Sequence, residues 1–191
     1  MATPPDFTTG QVLTAAQMSA VGLWLIETKD VTSTGILDFT DVFLGDYANY
    51  LLMWSYLQNT NDAALNLQFR DSGGVLNTAY RFGFGGSFTS SGSPLFAGFS
   101  FQTTDTTSAF TGSTPTAGTR SSGYLQIMNP ASSQICHGNG QATTLSVSAT
   151  IANAYVQGGI LHNTATARTG IRLFPNAGTV TGKFSLYGYR N

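Results

Sequence analysis

The chain has 191 residues, enough for one domain with a sizeable core, and 41% of them are hydrophobic while only 9% are charged, against about a quarter in an average soluble domain. Its net charge of −1 offers no general attraction to nucleic acid, which demands a basic stripe. The single cysteine, Cys136, rules out an intrachain disulfide. Serine and threonine supply the missing polarity, and hydroxyls suit strands whose outer faces meet other protein.

The opening Met1-Ala-Thr-Pro-Pro-Asp6 lacks the basic and apolar regions of a secretory signal. The longest apolar stretch, 20–26, is far below the roughly 20 residues of a membrane span. We therefore expect a protein made in a cytoplasm and not inserted in a membrane. Pro4-Pro5 imposes an extended start, and Thr14-Ala-Ala-Gln17 matches a capping box, which predicts a short helix over 14–21. Phe7, Val12, Leu13, Met18, Leu23 and Trp24 carry more apolar surface than two helical turns bury on themselves. Residues 1–34 thus read as an N-terminal segment whose apolar side chains either dock on a partner or pack beneath its own domain.

From Gly35 the apolar period becomes two, the mark of half-buried strands, and residues 35–191 read as one β domain. Strands are predicted near 37–44, 47–57, 65–70, 78–88, 95–102, 123–128, 145–151, 166–174 and 180–187. Over 65–70, Leu65, Leu67 and Phe69 alternate with Asn66, Gln68 and Arg70. The 47–57 segment is apolar on both faces, as in a strand that is central or at an interface. Tyr80, Phe82, Phe84 and Phe88 form a core stripe, and the Ser/Thr/Gly-rich stretch 103–122 reads as a long exposed loop. Many short strands with Gly- and Pro-bearing turns point to an all-β, jelly-roll-like β-sandwich preceded by the N-terminal extended segment and helix.

Charge is segregated along this layout. Residues 1–105 hold all nine acids, and residues 106–191 hold Arg120, Arg168, Arg172, Lys183 and Arg190 with no acid. Opposite halves either pair within one subunit or attract between subunits.

No catalytic constellation is visible. His137 and His162 lack a second ligand type at metal-binding spacing, and Cys136 beside His137 cannot chelate a metal alone. Gly83-Phe-Gly-Gly86 lacks the third glycine of a dinucleotide fingerprint, and Gly118-Thr-Arg-Ser-Ser-Gly123 is no nucleophile elbow. No enzyme activity, cofactor or metal is expected, and Cys136 is expected to be a structural thiol. Tyr187 and Tyr189 share a face with the polar Lys183 and Ser185, which makes them candidates for an exposed ligand surface.

Two stretches resemble a known class. The opening Pro5-Asp-Phe-Thr-Thr-Gly-Gln-Val-Leu-Thr-Ala-Ala-Gln-Met-Ser-Ala-Val-Gly-Leu-Trp24 is similar to the N-terminus of many minor structural proteins of tailed bacteriophages: minor tail, tail-fibre or head-associated proteins. Thr169-Gly-Ile-Arg-Leu-Phe174 and Gly178-Thr-Val-Thr-Gly-Lys-Phe-Ser-Leu-Tyr-Gly-Tyr-Arg-Asn191 resemble the terminal strands of compact β modules in that class. Asp46-Tyr-Ala-Asn-Tyr50 and Leu65-Asn-Leu-Gln-Phe-Arg70 sit where such modules carry a strand pair. The resemblance implies a virion β-sandwich, often a homotrimer, attached to other virion proteins through its N-terminus and in some cases contacting a host surface glycan. It implies no catalysis. With no shaft repeat, a short spike, tail-tip or head-decoration knob is the expected form. The alternative is a soluble lectin-like carbohydrate-binding module, and a particle-borne glycan hydrolase is a minor third.

Overall fold

A computed structural model describes Gly10 and residues 22–61, 63–90, 93–102, 108–114, 120–145 and 153–189. The expected helix over 14–21 lies outside those residues, and among the described residues there are strands and no helix. The strands in chain order are β1 (Trp24–Thr34), β2 (Leu37–Phe39), β3 (Asn49–Asn59), β4 (Ala63–Asp71), β5 (Gly74–Val75), β6 (Tyr80–Ser90) and β7 (Ser93–Gln102). They continue as β8 (Ser108–Thr114), β9 (Arg120–Met128), β10 (Cys136–Leu145), β11 (Asn153–His162), β12 (Gly170–Pro175) and β13 (Val180–Tyr189).

An eight-stranded antiparallel sheet runs β1-β13-β3-β9-β10-β11-β6-β7. A smaller sheet runs β2-β12-β4, with β5 and β8 both pairing the far edge of β4. One apolar core joins them. Tyr50, Leu52 and Trp54 of β3, Leu125 and Ile127 of β9 and Phe184 and Leu186 of β13 meet Phe39 of β2, Leu65, Leu67 and Phe69 of β4 and Ile171 and Leu173 of β12. At roughly 25 cal/mol per Å² of apolar surface, this burial is the main favourable term in a chain with so few charges. β3 is central in the large sheet, between β13 and β9, and turns Leu51 and Met53 outward.

Two expectations change. Strand structure starts at Trp24, ahead of Gly35, because β1 hydrogen-bonds along β13 and packs Trp24, Ile26 and Val31 on the core. The loop expected over 103–122 contains β8 and the start of β9; hydroxyl-rich strands without apolar alternation are held there by backbone pairing to β4 and β10. The strand expected near 145–151 falls largely on residues outside those described, while β10 and β11 flank it.

On the outside of the smaller sheet, Asp38 of β2 accepts two hydrogen bonds from Arg172 of β12, both at 2.7 Å, and one from Arg70 of β4 at 3.1 Å. The acidic first half and basic second half therefore meet within one chain. Arg172 in the first place holds the Asp38 carboxyl below its ordinary range.

At one end of the core lies a buried cation. Arg168, 1% exposed, donates to the carbonyls of Gln134 (2.6 Å), Thr164 (2.5 Å) and His162 (3.2 Å), and to Nδ1 of His162 at 2.7 Å. Its guanidinium lies 5.7 Å from the centre of the Phe69 ring. Carbonyl oxygens take the place of a carboxylate and tie the 129–135 and 163–169 loops together. Burial, and secondly the Arg168 charge, hold the His162 imidazole down at about 4.

That depression fixes a pH dependence. Between pH 6.5 and 4 the unfolded chain binds a proton that the folded chain refuses, so stability is full above about 6.5 and falls as pH drops towards 4. The loss reaches about 3 kcal/mol. Urea midpoints at pH 7 and 4.5 should differ accordingly, with a smaller difference in His162→Gln; equal midpoints would contradict the assignment.

Candidate functional site

In β10 and β11 the outer face of the eight-stranded sheet is built by alternation. β10 buries Cys136, Gly138, Gly140 and Ala142 and turns His137, Asn139, Gln141 and Thr143 to solvent. β11 buries Val156 and Ile160 and exposes Tyr155, Gln157 and Gly159. Register then places Tyr124, Gln141 and Gln157 in one row across β9, β10 and β11, and Gln126, Asn139, Gly159 and Gly83 in the next row, which reaches β6.

These rows form a shallow trough of about 480 Å³ lined by Tyr124, Asn139, Gln141 and Gln157 over Gly83, Gly140, Gly158 and Gly159. At Gly159 an added Cβ would meet only the Gly138 carbonyl oxygen, at 3.4 Å. Packing does not demand glycine there, so its effect is to leave the floor bare. Tyr155 donates to the Gln157 amide oxygen at 3.2 Å and so orients one wall. A flat ring, carboxamides and an open glycine floor, with no charge in the lining, suit neutral hydroxylated ligands, which need stacking and bidentate hydrogen bonds.

Tyr187 and Tyr189 lie on this same face, both half-buried in β13. Tyr189 accepts a hydrogen bond from the Gln126 amide, which ties it to the trough's border. Tyr187 stands in register between Leu25 of β1 and Leu51 of β3. With Leu25 56% and Met53 43% exposed, this corner of the face is apolar.

The N-terminal residues divide. Phe7, Val12, Leu13 and Met18 lie outside the described residues. Leu23 is 51% exposed, whereas Trp24 packs on Tyr47 of its own domain with ring centres 5.9 Å apart.

Register also brings Cys136 opposite His162, a pairing not visible from their distance in sequence. Burial pushes the thiol up to about 12, and the imidazole beside it is neutral, so neither is primed for nucleophilic chemistry. Among the described residues no group of three or more His, Cys, Asp or Glu side chains gathers to hold a metal, and no helix is long and apolar enough to cross a membrane. Comparison of the chain with models of known protein families and with curated proteins returns no match.

Proposed function

We propose that this chain is a structural protein of a tailed-bacteriophage particle, without enzymatic activity, that exposes a β knob and is anchored by its N-terminal segment. The observation that carries the reading is the outer face of the large sheet, a broad surface of amides, hydroxyls and tyrosines with few charges. Such a surface suits contact with neighbouring subunits and host glycans. The resemblance of residues 5–24 and 169–191 to minor structural proteins of tailed phages supports the same reading. We read the fold as a jelly-roll-like β-sandwich. One layer is β2-β12-β4-β8; the other is β3, the β9-β10-β11 meander in place of a single strand, β6 and β7, with β13 and β1 added outside β3. Self-association as a homotrimer would bury the Leu25, Tyr187, Leu51 and Met53 corner. The docking residues are Phe7, Val12, Leu13, Met18 and Leu23.

The test removes residues 1–21, which leaves β1 intact. The shortened protein should melt within a few degrees of the full chain yet fail to enter particles, because each large anchor contributes roughly 1.5–3 kcal/mol of transfer free energy before ordering costs. A shortened protein that is incorporated normally would refute anchoring by that segment. A second reading, a lectin-like carbohydrate-binding module, is favoured by the glycine-floored trough. Binding of neutral oligosaccharides by the full chain, lost in Gly159→Tyr, would support it.

A further inference from the structure

A second depression on the same face has a different chemistry. β1, β13 and β3 lie side by side, and the two outer members bulge at the same level: β1 carries an extra residue between Val31 and Thr34 against β13, and β3 carries one between Trp54 and Gln58 against both β13 and β9. A bulge bends its strand and re-aims its side chains, and two of them on either side of the regular β13 open a groove. The groove measures about 620 Å³ and is lined by Asp30, Thr32, Tyr56, Gln58, Arg120 and Lys183 among others. Gly182 permits it, since a Cβ there would meet the Leu57 Cα at 3.0 Å. Hydrogen bonds from Ser33 N to Thr181 Oγ1 (3.0 Å) and from Tyr56 N to Ser122 Oγ (3.4 Å) hold the walls.

Tyr56 is the anomaly. Its φ is 55°, a conformation that favours glycine or asparagine and strains an aromatic residue. Burial does not offset that strain, because the side chain is 66% exposed. The ring is presented to solvent, with the Arg120 guanidinium 5.3 Å from its centre. Lys183 stands at the other side, 4.0 Å from the Asp30 carboxylate, in an exposed pair of the kind that contributes little to stability. Two cations and one acid line a groove with an aromatic platform and hydroxyl and amide walls.

We propose that this groove binds a carboxylated sugar residue, with Tyr56 stacking on the ring, Arg120 pairing the carboxylate bidentately, and Lys183 adding a second, weaker charge contact. Ring stacking accounts for an exposed aromatic in a strained conformation, and the guanidinium fork matches a carboxylate. The proposal extends the attachment reading by naming an acidic glycan as the molecule met, at a site separate from the neutral trough.

The test is calorimetric titration of the full-length protein with three probes: trigalacturonate, a hyaluronan hexasaccharide and an α2,8-linked sialic acid trimer. At least one should bind, and its carboxyl methyl ester should bind at least tenfold more weakly. Tyr56→Gly, which suits the backbone and keeps the fold, should weaken binding at least tenfold. Arg120→Gln should do the same, Lys183→Gln should cost a few-fold, and Gly159→Tyr in the trough should change nothing. Binding of none of the three, or binding that survives both Tyr56→Gly and Arg120→Gln, would overturn the proposal. Loss of binding in Gly159→Tyr alone would also overturn it, by moving the site to the trough. Failure of the attachment reading shows elsewhere, in whether the protein is found in particles.

Discussion

Arg168→Ala should unfold the domain at a markedly lower temperature. The side chain is 1% exposed, and truncation leaves the carbonyls of Gln134, His162 and Thr164 facing a void instead of a guanidinium. Unpaired buried carbonyls each cost about 1–3 kcal/mol, so a total loss of about 3–5 kcal/mol is expected after local relaxation and water entry. For a chain of this size that lowers the melting temperature by roughly 10–15 °C. Arg168→Lys should recover little, because an ammonium on a narrower stem cannot reach three carbonyls and stay over the Phe69 ring. Thermal unfolding followed by circular dichroism measures both variants, and a melting temperature within a few degrees of the parent for Arg168→Ala would contradict the pinning role.

Gly123→Val should be of comparable severity for a different reason. Gly123 faces the core from β9, and a Cβ on it would lie 2.3 Å from the Gln141 carbonyl oxygen, 2.5 Å from the Trp54 indole and 2.9 Å from the Ala142 Cα. Two of those neighbours are backbone of β10, the strand paired to it, so the sheet must open or the indole must leave its place. Overpacking typically costs about 1–3 kcal/mol, and a branched side chain against backbone belongs at or above the top of that range. The Trp54 to Ser121 hydrogen bond, 3.4 Å long, should break with it. Gly159→Val, on the outer face with nothing nearer than 3.4 Å, is the matched control and should melt near the parent. If the two valine variants melt alike, the inward and outward assignments in this part of the sheet are wrong.

The contrast between those glycines explains what was legible from residues alone. β3, β4 and β13 announce themselves because large apolar side chains recur at every second position and their partners across the core are equally large. β10 does not: its inward positions are Cys136, Gly138, Gly140 and Ala142, and a Cβ at Gly138 would lie 2.4 Å from the Gln126 carbonyl oxygen and 3.3 Å from Ile160 and Leu125. A strand that contributes backbone but little side-chain volume has no hydrophobic period to read. β8 is similar, with its Ser, Thr and Gly residues held by pairing to β4. β1 does not separate from the N-terminal segment in the sequence, because its Trp24 is as consistent with an external partner as with Tyr47.

The candidate sites follow the same rule. Tyr187 and Tyr189 were recognisable as outward-facing from the alternation of their own strand. The trough was not, since Gly83, Tyr124, Gln141 and Gln157 come from four strands and meet only through register. The Tyr56 groove has no local signal either. It depends on two bulges, one in β1 and one in β3, falling at the same level, and a bulge is set by how two strands pair more than by the residue that occupies it.

Where the protein resides tests its assignment to a virus particle most directly. Image reconstruction of the purified virus particle encoded with this chain, combined with mass spectrometry of the same particles, should place the two-layer β domain on the exterior. Its outer β9-β10-β11 face should meet solvent, and residues 1–21 should bury against a neighbouring virion protein. Absence of the chain from particles that are otherwise complete and infectious would contradict it.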